Sequence, residues 1–374
     1  MKSFDEQIQK IKQRYESGED NKNLIELKEK ITNQPIVLFG AGVFGLIVVK
    51  NFNLHGINIE CLCDNKKTGT DPITGIEIIS TEILIRDYKN ANIVISVATP
   101  SIHRSIYEQI ISLGFSEEQI FKFDDIFKLL IKFGNLTTKI NYNEFLIHLN
   151  GYKRAYDFFD DNNSKDIIIG TINSYLFGDN FSFDFPDNTY FPSEIKLQDD
   201  EVFVDAGLYI GDTVEEFVRR TNGKYNKIYG FDIDGENFKI AESNLQKYNN
   251  IEIIQKGLWS NTCSQNADLG MLAGSNINEE AKTEVNLIAL DDFFKDPPPP
   301  TFIKMDIEGA EMQALIGAEK LLKNNSPKLA ISVYHQPQDI YELTELIHKF
   351  NPEYHFKLRS HLPFTLKTIL YAYV

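Results

Sequence analysis

The spacing of apolar and polar residues changes along the chain and predicts a series of different elements. Over residues 1–34, apolar residues recur at helical spacing and Gly18 interrupts the run, which predicts an amino-terminal helical segment. From Pro35 onward, short apolar runs alternate with helical stretches. This alternation is typical of a parallel sheet with crossover helices, so residues 35–124 are predicted to form a small Rossmann-like α/β domain.

Residues 125–197 are rich in aromatic side chains and show no clear period. We expect a connecting or lid region here, and the pattern leaves open whether it supplies helices, a lid or the pocket for an acceptor.

The carboxy-terminal stretch, residues 198–374, has the clearest alternation of strands and helices. Strand signals lie at Val202–Asp205, Lys227–Ile233, Ile251–Gln255, Val285–Leu290, Phe302–Ile307 and Leu329–Tyr334. They predict a doubly wound sheet. The last two apolar runs, Tyr354–Leu358 and Thr368–Tyr373, are joined too briefly for a crossover helix, so they are expected to pair antiparallel. The predicted fold class is α/β with two Rossmann-like domains.

Composition and charge narrow the class of protein. A chain of 374 residues with 42% hydrophobic content is expected to hold two globular units. A net charge of −16 disfavours a nucleic-acid partner, because phosphate binding depends on Lys and Arg. No apolar run is long enough to span a bilayer, and the charged amino terminus is unlike a signal peptide. Cys61, Cys63 and Cys263 cannot form a disulfide framework, so a cytoplasmic location is expected.

The first chemical motif is a glycine-rich turn between a strand and a helix. Asp205 closes the strand, Gly207 and Gly211 allow the backbone to approach a ligand, and Thr213 is expected to help start the helix. Asp232 ends the next strand, where a carboxylate can accept both hydroxyls of a ribose. The spacing differs from the dinucleotide motif and lacks the Lys-Ser/Thr pair of a P-loop. This favours S-adenosylmethionine over NAD or ATP as the cofactor.

The second motif, Phe302–Glu311, concentrates charge at the end of a strand. Lys304, Asp306 and Glu308 share one face of that strand, and such charges are tolerated at the carboxyl edge of a sheet, where ligands bind. His335 follows a neighbouring strand and is predicted at the same edge.

Transfer of a methyl group to a hydroxyl requires removal of its proton. His335 has the ordinary pKa best suited to a general base, whereas Asp306 or Glu308 would need burial to raise theirs. Alternatively, Asp306 and Glu308 bind a Mg²⁺ that holds two sugar oxygens. The sequence leaves both interpretations open.

From about Tyr190 to Val374 the chain resembles the FkbM family of S-adenosylmethionine-dependent methyltransferases. The similar segments are Tyr190–Ile195, Val202–Gly207, Gly211–Thr213, Gly257–Trp259, Leu290–Asp292, Ile303–Glu311, Pro327–His335 and Leu370–Ala372. The resemblance implies a class I methyltransferase sheet that ends in an antiparallel hairpin, S-adenosylmethionine as donor, and O-methylation of a small-molecule or glycan acceptor. Trp259 is interpreted as lining the adenine site, although a buried Trp is common in cores.

The resemblance has two departures within the donor motifs. Leu208-Tyr-Ile210 replaces the smaller residues usual in the glycine loop, and Asp232-Ile-Asp234 replaces the commoner Glu-Pro-Asp. The shorter Asp side chain reduces the reach to the ribose by one methylene.

A second glycine loop, Gly40–Gly45, follows a strand signal and opens a helix, with Asp64 after the next strand. Through Asp64-Asn65 and Gly75–Ser80, this region resembles the small amino-terminal domain of some sugar-modifying acyltransferases and nucleotide-sugar enzymes. The resemblance implies a nucleotide-sugar ligand, or a domain that retains the fold without the ligand. Two alternatives remain open: a nucleotide-sugar oxidoreductase or isomerase centred on this loop, and a binding protein without catalysis.

Overall fold

The computed structural model describes residues 3–54, 56–97, 99–133, 140–181, 189–269, 276–277, 280–296, 298–362, 365 and 367–374. The chain divides into two compact units. The amino-terminal unit comprises Met1–Phe145, Ile169–Ser182 and Leu362–Thr365, and the carboxy-terminal unit comprises Leu146–Ile168, Phe183–His361 and Leu366–Val374. Both units combine helices with sheets whose pairing is mostly parallel, which confirms the predicted α/β class. Within the described residues, no helix is both long and apolar enough to cross a membrane.

The amino-terminal unit begins with helices α1 (Phe4–Ser17) and α2 (Glu19–Thr32). Gly18 separates them with a φ of 67°, a left-handed conformation that glycine adopts readily. The following helices are α3 (Val43–Leu54), α4 (Thr81–Asp87), α5 (Pro100–Ser112) and α6 (Phe123–Phe133). The strands are β1 (Ile36–Phe39), β2 (Cys61–Cys63), β3 (Gly69–Thr70), β4 (Glu77–Ile79), β5 (Asn92–Ile95) and β6 (Ile120–Phe121).

These strands form one sheet in the order β3-β4-β2-β1-β5-β6, in which β3 alone among the described pairs is antiparallel. Strand β1 shows why the sheet is covered on both faces. Ile36 and Leu38 belong to one buried cluster, whereas Val37 and Phe39 belong to another. An apolar run without alternation is the expected sequence of such a central strand.

The stretch without a clear period contains two long helices, α7 (Tyr142–Phe158) and α8 (Asn162–Phe177). In α8, Ile167, Ile168, Ile169, Thr171 and Ile172 are all buried. A helix that is buried around most of its circumference has no apolar stripe, so its sequence shows no helical period.

The carboxy-terminal unit contains a larger set of strands and shorter helices. Its strands are β7 (Val202–Ala206), β8 (Lys227–Phe231), β9 (Ile251–Ile254), β10 (Gly257–Leu258), β11 (Cys263–Asp268), β12 (Asn276–Ile277), β13 (Thr283–Ile288), β14 (Phe302–Met305), β15 (Lys328–Ser332), β16 (His355–Ser360) and β17 (Thr368–Tyr373). Its helices after α8 are α9 (Asp212–Arg220), α10 (Gly235–Leu245), α11 (Leu290–Phe293), α12 (Glu311–Ile316), α13 (Glu319–Asn325) and α14 (Asp339–Phe350).

The main sheet of this unit has the order β16-β17-β15-β14-β7-β8-β9. The pairs from β15 to β9 are parallel, β17 pairs antiparallel with β15, and β16 pairs antiparallel with β17. The predicted antiparallel hairpin at the end of the sheet is therefore confirmed. The register places Lys304 of β14 directly opposite Asp205 of β7.

The strand predicted at Val285–Leu290 does not join the main sheet. Residues Thr283–Ile288 form β13 in a separate sheet of order β10-β13-β11-β12, and Leu290 begins α11. Along β13, exposed and buried positions partly alternate. This pattern is typical of a strand with one solvated face, not of a central parallel strand, so its assignment to the doubly wound sheet was wrong.

Candidate functional site

The glycine loop between β7 and α9 requires glycine at both predicted positions. Gly207 has a φ of 77°, and a Cβ there would lie 1.9 Å from the carbonyl oxygen of Asp306. Gly211 has a φ of 87° and is the N-cap residue of α9. Both conformations disfavour a side chain, and the first position also has no room for one. The turn that follows β14 therefore packs against the glycine loop.

A buried ion pair holds this loop in place. Asp205 is fully buried, and its Oδ1 lies 2.8 Å from Nζ of Lys304. The same Nζ donates hydrogen bonds to the carbonyls of Ala206 (3.1 Å) and Gly207 (2.8 Å). Burial raises the pKa of Asp205 to about 6 against the opposing effect of Lys304. Lys304 thus uses its donors within the loop, while Oδ2 of Asp205 has no hydrogen-bond partner among the described residues.

Asp232 follows β8, and the structure brings it to the glycine loop. Its Oδ2 accepts the backbone N–H of Tyr209 (2.7 Å), and its Oδ1 accepts that of Asp234 (2.9 Å). These bonds orient the carboxylate, and burial raises its pKa. Tyr209 has a φ of 50° and a side chain that is 55% exposed. The carboxylate predicted to bind ribose is therefore fixed beside the loop predicted to approach the donor.

Thr213 and Trp259 are the other two residues predicted to bind the methyl donor. Helix α9 begins at Asp212 with Gly211 as its N-cap and has no side-chain cap, so the expectation that Thr213 helps to start the helix was wrong. Trp259 is half-buried and packs on the small apolar cluster of the second sheet, as does Ile233, the neighbour of Asp232. Cofactor contacts of Thr213 and Trp259 stay predictions.

At the end of β14, Asp306 is held by two tyrosines. Its Oδ2 accepts the hydroxyl of Tyr190 (2.6 Å), and its Oδ1 accepts that of Tyr334 (2.9 Å). Burial acts to raise the pKa of Asp306, but Lys304 and His335 outweigh it and the pKa is lowered. Asp306 is therefore an ionised carboxylate of fixed orientation.

His335 lies among three carboxylates. Its Nδ1 is 3.0 Å from Oε1 of Glu311, and its Nε2 is 3.5 Å from Oδ1 of Asp306 and 3.6 Å from Oε2 of Glu308. Burial acts to lower the pKa of His335, but the carboxylates raise it to about 9. The pKa of His335 thus differs from the ordinary value on which the prediction of a general base relied, and its catalytic role stays a prediction.

Glu308 differs from the other members of this cluster in its backbone and its exposure. Its φ of 55° lies in the left-handed region, a conformation that costs a non-glycine residue about 1–3 kcal/mol. Its side chain is 39% exposed, compared with 9% for His335. Burial raises the pKa of Glu308. Among the three predicted catalytic residues, Glu308 is the most open to solvent, and it lies in a strained turn.

Two acidic residues of the cluster were not singled out from the sequence. Glu311, in the first turn of α12, is 1% exposed; its Oε1 accepts the N–H of Ile307 (2.8 Å), and its Oε2 has no partner among the described residues. Asp339 begins α14, accepts the N–H of Gln336 (2.8 Å), and burial raises its pKa to about 7. A carboxylate in a first helical turn is common, so neither residue carries a local signal of its burial.

The set of possible metal ligands in the structure differs from the predicted pair, Asp306 and Glu308. Asp306, Glu311 and His335 each offer one ligand atom, and these atoms all lie within 4.8 Å of one another. Glu308, the expected partner of Asp306, is outside this set.

The amino-terminal glycine loop resembles the carboxy-terminal one in its backbone, and its carboxylate accepts hydrogen bonds from nearby backbone N–H groups. A Cβ at Gly45 would lie 2.2 Å from the carbonyl oxygen of Gly40. Asp64 accepts the N–H of Ala41 (2.9 Å) through Oδ2 and those of Lys66 (2.8 Å) and Lys67 (3.2 Å) through Oδ1. The carboxylate of Asp64 thus organises the loop, and the nucleotide-sugar ligand stays a prediction.

A comparison with known protein families finds a match over the region that contains the carboxy-terminal glycine loop and the acidic cluster. Residues 205–362 match the family model of the methyltransferase FkbM domain. The matched residues include Asp205, Asp232 and His335, together with β14 and β15 of the main sheet. The comparison with curated proteins finds no match.

Solved structures of methyltransferases are similar to the chain. The crystal structure of methyltransferase FkbM from Methylobacillus flagellatus KT is 22% identical and covers 95% of this chain and 93% of its own, with a TM-score of 0.67. This similarity shows the fold. An rRNA methylase from Streptococcus thermophilus (18% identity, 47% of this chain and 88% of its own) and precorrin-6y C5,15-methyltransferase from Geobacter metallireducens GS-15 (14%, 49% and 84%) both have a TM-score of 0.32, too low to carry an argument.

Proposed function

We propose that the protein transfers a methyl group from S-adenosylmethionine to a hydroxyl oxygen of a sugar or glycoconjugate. The proposal rests mainly on the hydrogen bond between the glycine loop and the carboxylate of Asp232. Both lie at one edge of a mostly parallel sheet that ends in an antiparallel hairpin. The match to the FkbM domain model covers this junction.

The donor would lie along the glycine loop. Each oxygen of Asp232 accepts one backbone N–H and keeps a lone pair, so the carboxylate can accept the two ribose hydroxyls. Asp205 and Lys304 act as positioning residues, because they fix the carbonyls of Ala206 and Gly207. A donor with a ribose and no pyrophosphate suits this loop, which has no phosphate-binding Lys-Ser/Thr pair.

Glu308 is proposed as the proton acceptor. Both oxygens of Asp306 already accept tyrosine hydroxyls, whereas the carboxylate of Glu308 is partly open to solvent. As the hydroxyl oxygen attacks the methyl carbon, the new C–O bond forms and the C–S bond of the sulfonium breaks. The electron pair of that bond stays on sulfur, S-adenosylhomocysteine leaves, and the hydroxyl proton passes to Glu308.

A polyol is the acceptor class that this environment favours. Carboxylates can accept several hydroxyl hydrogen bonds at once, whereas a net charge of −16 opposes the binding of a nucleic-acid backbone. The resemblance of the amino-terminal glycine-loop region to a domain of some sugar-modifying enzymes supports the same class.

The test is release of S-adenosylhomocysteine from S-adenosylmethionine in the presence of a panel of sugars, nucleotide sugars and glycolipids. We expect at least one acceptor to be methylated, and Glu308→Gln to reduce turnover at least tenfold while donor affinity changes less than threefold. Donor binding without transfer to any acceptor would contradict the enzymatic proposal and favour a binding protein.

A further inference from the structure

We propose that Asp306, Glu311 and His335 bind a divalent first-row transition-metal ion. A role of this ion in holding the acceptor rests on the proposed methyltransferase function. Binding of the ion itself requires only the three side chains.

The cluster contains more negative than positive side chains. Asp306, Glu308 and Glu311 surround one imidazole, and Lys304 is committed to Asp205 and two loop carbonyls. Carboxylates that are removed from water are costly unless a cation compensates them. The cluster therefore has more carboxylates than its own cations neutralise.

One buried carboxylate oxygen of the cluster, Oε2 of Glu311, is unsatisfied by the described residues. Glu311 is almost fully buried, its Oε1 accepts the N–H of Ile307, and its Oε2 has no hydrogen-bond partner among the described residues. Buried polar atoms left unpaired cost about 1–3 kcal/mol each, so a native fold retains them where a ligand satisfies them.

The spacing of the ligand atoms suits one ion. Ligand atoms bound at about 2.1 Å are at most about 4.2 Å apart, and the three atoms here lie within 4.8 Å of one another. The most distant pair needs to close by less than about 1 Å. Two carboxylates with one imidazole favour Mn²⁺, Fe²⁺ or Zn²⁺ over Mg²⁺, because Mg²⁺ prefers oxygen ligands.

Surrounding groups already orient two of the ligands. The hydroxyls of Tyr190 and Tyr334 hold Asp306, and the N–H of Ile307 holds Glu311. Such outer contacts are the usual support of metal ligands. The carbonyl of Asp306 contacts Gly207, so the ion would lie next to the donor loop, where open coordination positions could hold acceptor oxygens.

The experiment uses the full-length protein after dialysis against a chelator. Titration with Mn²⁺, followed by electron paramagnetic resonance, should show one bound ion per chain, and Zn²⁺ should displace it. Glu311→Gln should weaken Mn²⁺ binding at least tenfold, because the variant keeps an acceptor for Ile307 but loses the charge. Glu308→Gln, which removes a nearby carboxylate outside the ligand set, should weaken Mn²⁺ binding less than threefold.

Absence of stoichiometric Mn²⁺ and Zn²⁺ binding would overturn the proposal, as would equal losses in the two variants. His335→Gln replaces Glu311→Gln if the latter unfolds, with the same expected loss. Titration of the metal-free protein with S-adenosylhomocysteine separates the two proposals. Donor binding without metal binding overturns only the metal site, and metal binding without donor binding overturns only the methyltransferase.

Discussion

In both units of the chain, a carboxylate that follows the second strand of a parallel sheet accepts a backbone N–H of a glycine loop. Asp64 accepts the N–H of Ala41, and Asp232 accepts that of Tyr209. In both loops a glycine closely approaches a carbonyl oxygen, Gly45 in the first and Gly207 in the second. The backbone designs of the two loops are therefore alike.

The loops differ in the polar atoms around them. In the amino-terminal unit, Lys67 Nζ donates to the carbonyl of Ala41, and Ser96 Oγ donates to those of Phe39 and Gly40. In the carboxy-terminal unit, Oδ2 of Asp205 and Oε2 of Glu311 are buried and lack hydrogen-bond partners among the described residues. A glycine loop alone is thus a weak indicator of a ligand site, whereas buried polar atoms left unsatisfied beside it are a stronger one.

The largest expected difference between the loops concerns their lysines. Lys304→Met leaves the buried carboxylate of Asp205 without its cation, and loss of one partner from a buried ion pair costs about 3–5 kcal/mol. Lys67→Met removes one hydrogen bond to a carbonyl near the surface and should cost less than about 1.5 kcal/mol. Urea unfolding of both variants measures the difference, and equal losses of stability would refute it.

Alanine at the closely approached glycines should separate folding from donor binding. Gly207→Ala forces a Cβ against the carbonyl of Asp306 at a positive φ, so we expect a loss of about 2–4 kcal/mol and at least tenfold weaker S-adenosylhomocysteine binding. Gly45→Ala meets the carbonyl of Gly40 and should lower stability but not donor affinity. Gly42→Ala is the control, because a Cβ there meets nothing within 4 Å. Loss of donor affinity in Gly45→Ala would indicate that the donor binds the amino-terminal loop, which would contradict the proposed site.

The smallest expected effect is at Tyr209. Its side chain is exposed, and its left-handed backbone is one that Asn tolerates. Tyr209→Asn should therefore change the free energy of unfolding by less than about 0.5 kcal/mol, whereas contact of the ring with the donor predicts a two- to fivefold loss of affinity. Calorimetry of the folded variant checks this, and unchanged affinity would assign the ring to the acceptor side.

The features that could be predicted from the sequence are those that depend on residues close together in the chain. Asp205, Gly207, Gly211 and Asp232 stand in a strand-turn-helix pattern, and the structure places all four at one loop. The antiparallel ending followed from the length of one connection.

What the sequence could not predict depends on contacts between distant segments. Tyr190 reaches Asp306 across more than a hundred residues, and β13 joins a separate sheet through pairing that no local pattern specifies. The raised pKa of His335 requires carboxylates from the turn after β14 and the start of α12 to converge on it. Burial of Glu311 likewise follows from packing of the whole unit.

The central claim is that the carboxy-terminal loop, with Asp232, binds the methyl donor. The most direct measurement is calorimetric titration of S-adenosylhomocysteine into the wild type, Asp232→Asn and Asp64→Asn. Asparagine keeps the size of the side chain but weakens acceptance of the ribose hydroxyls, and a hydrogen bond to a charged group is worth about 1.5–3 kcal/mol. We expect one site in the wild type, at least tenfold weaker binding in Asp232→Asn and unchanged affinity in Asp64→Asn. Absence of binding to the wild type, or a larger loss in Asp64→Asn than in Asp232→Asn, would contradict this claim.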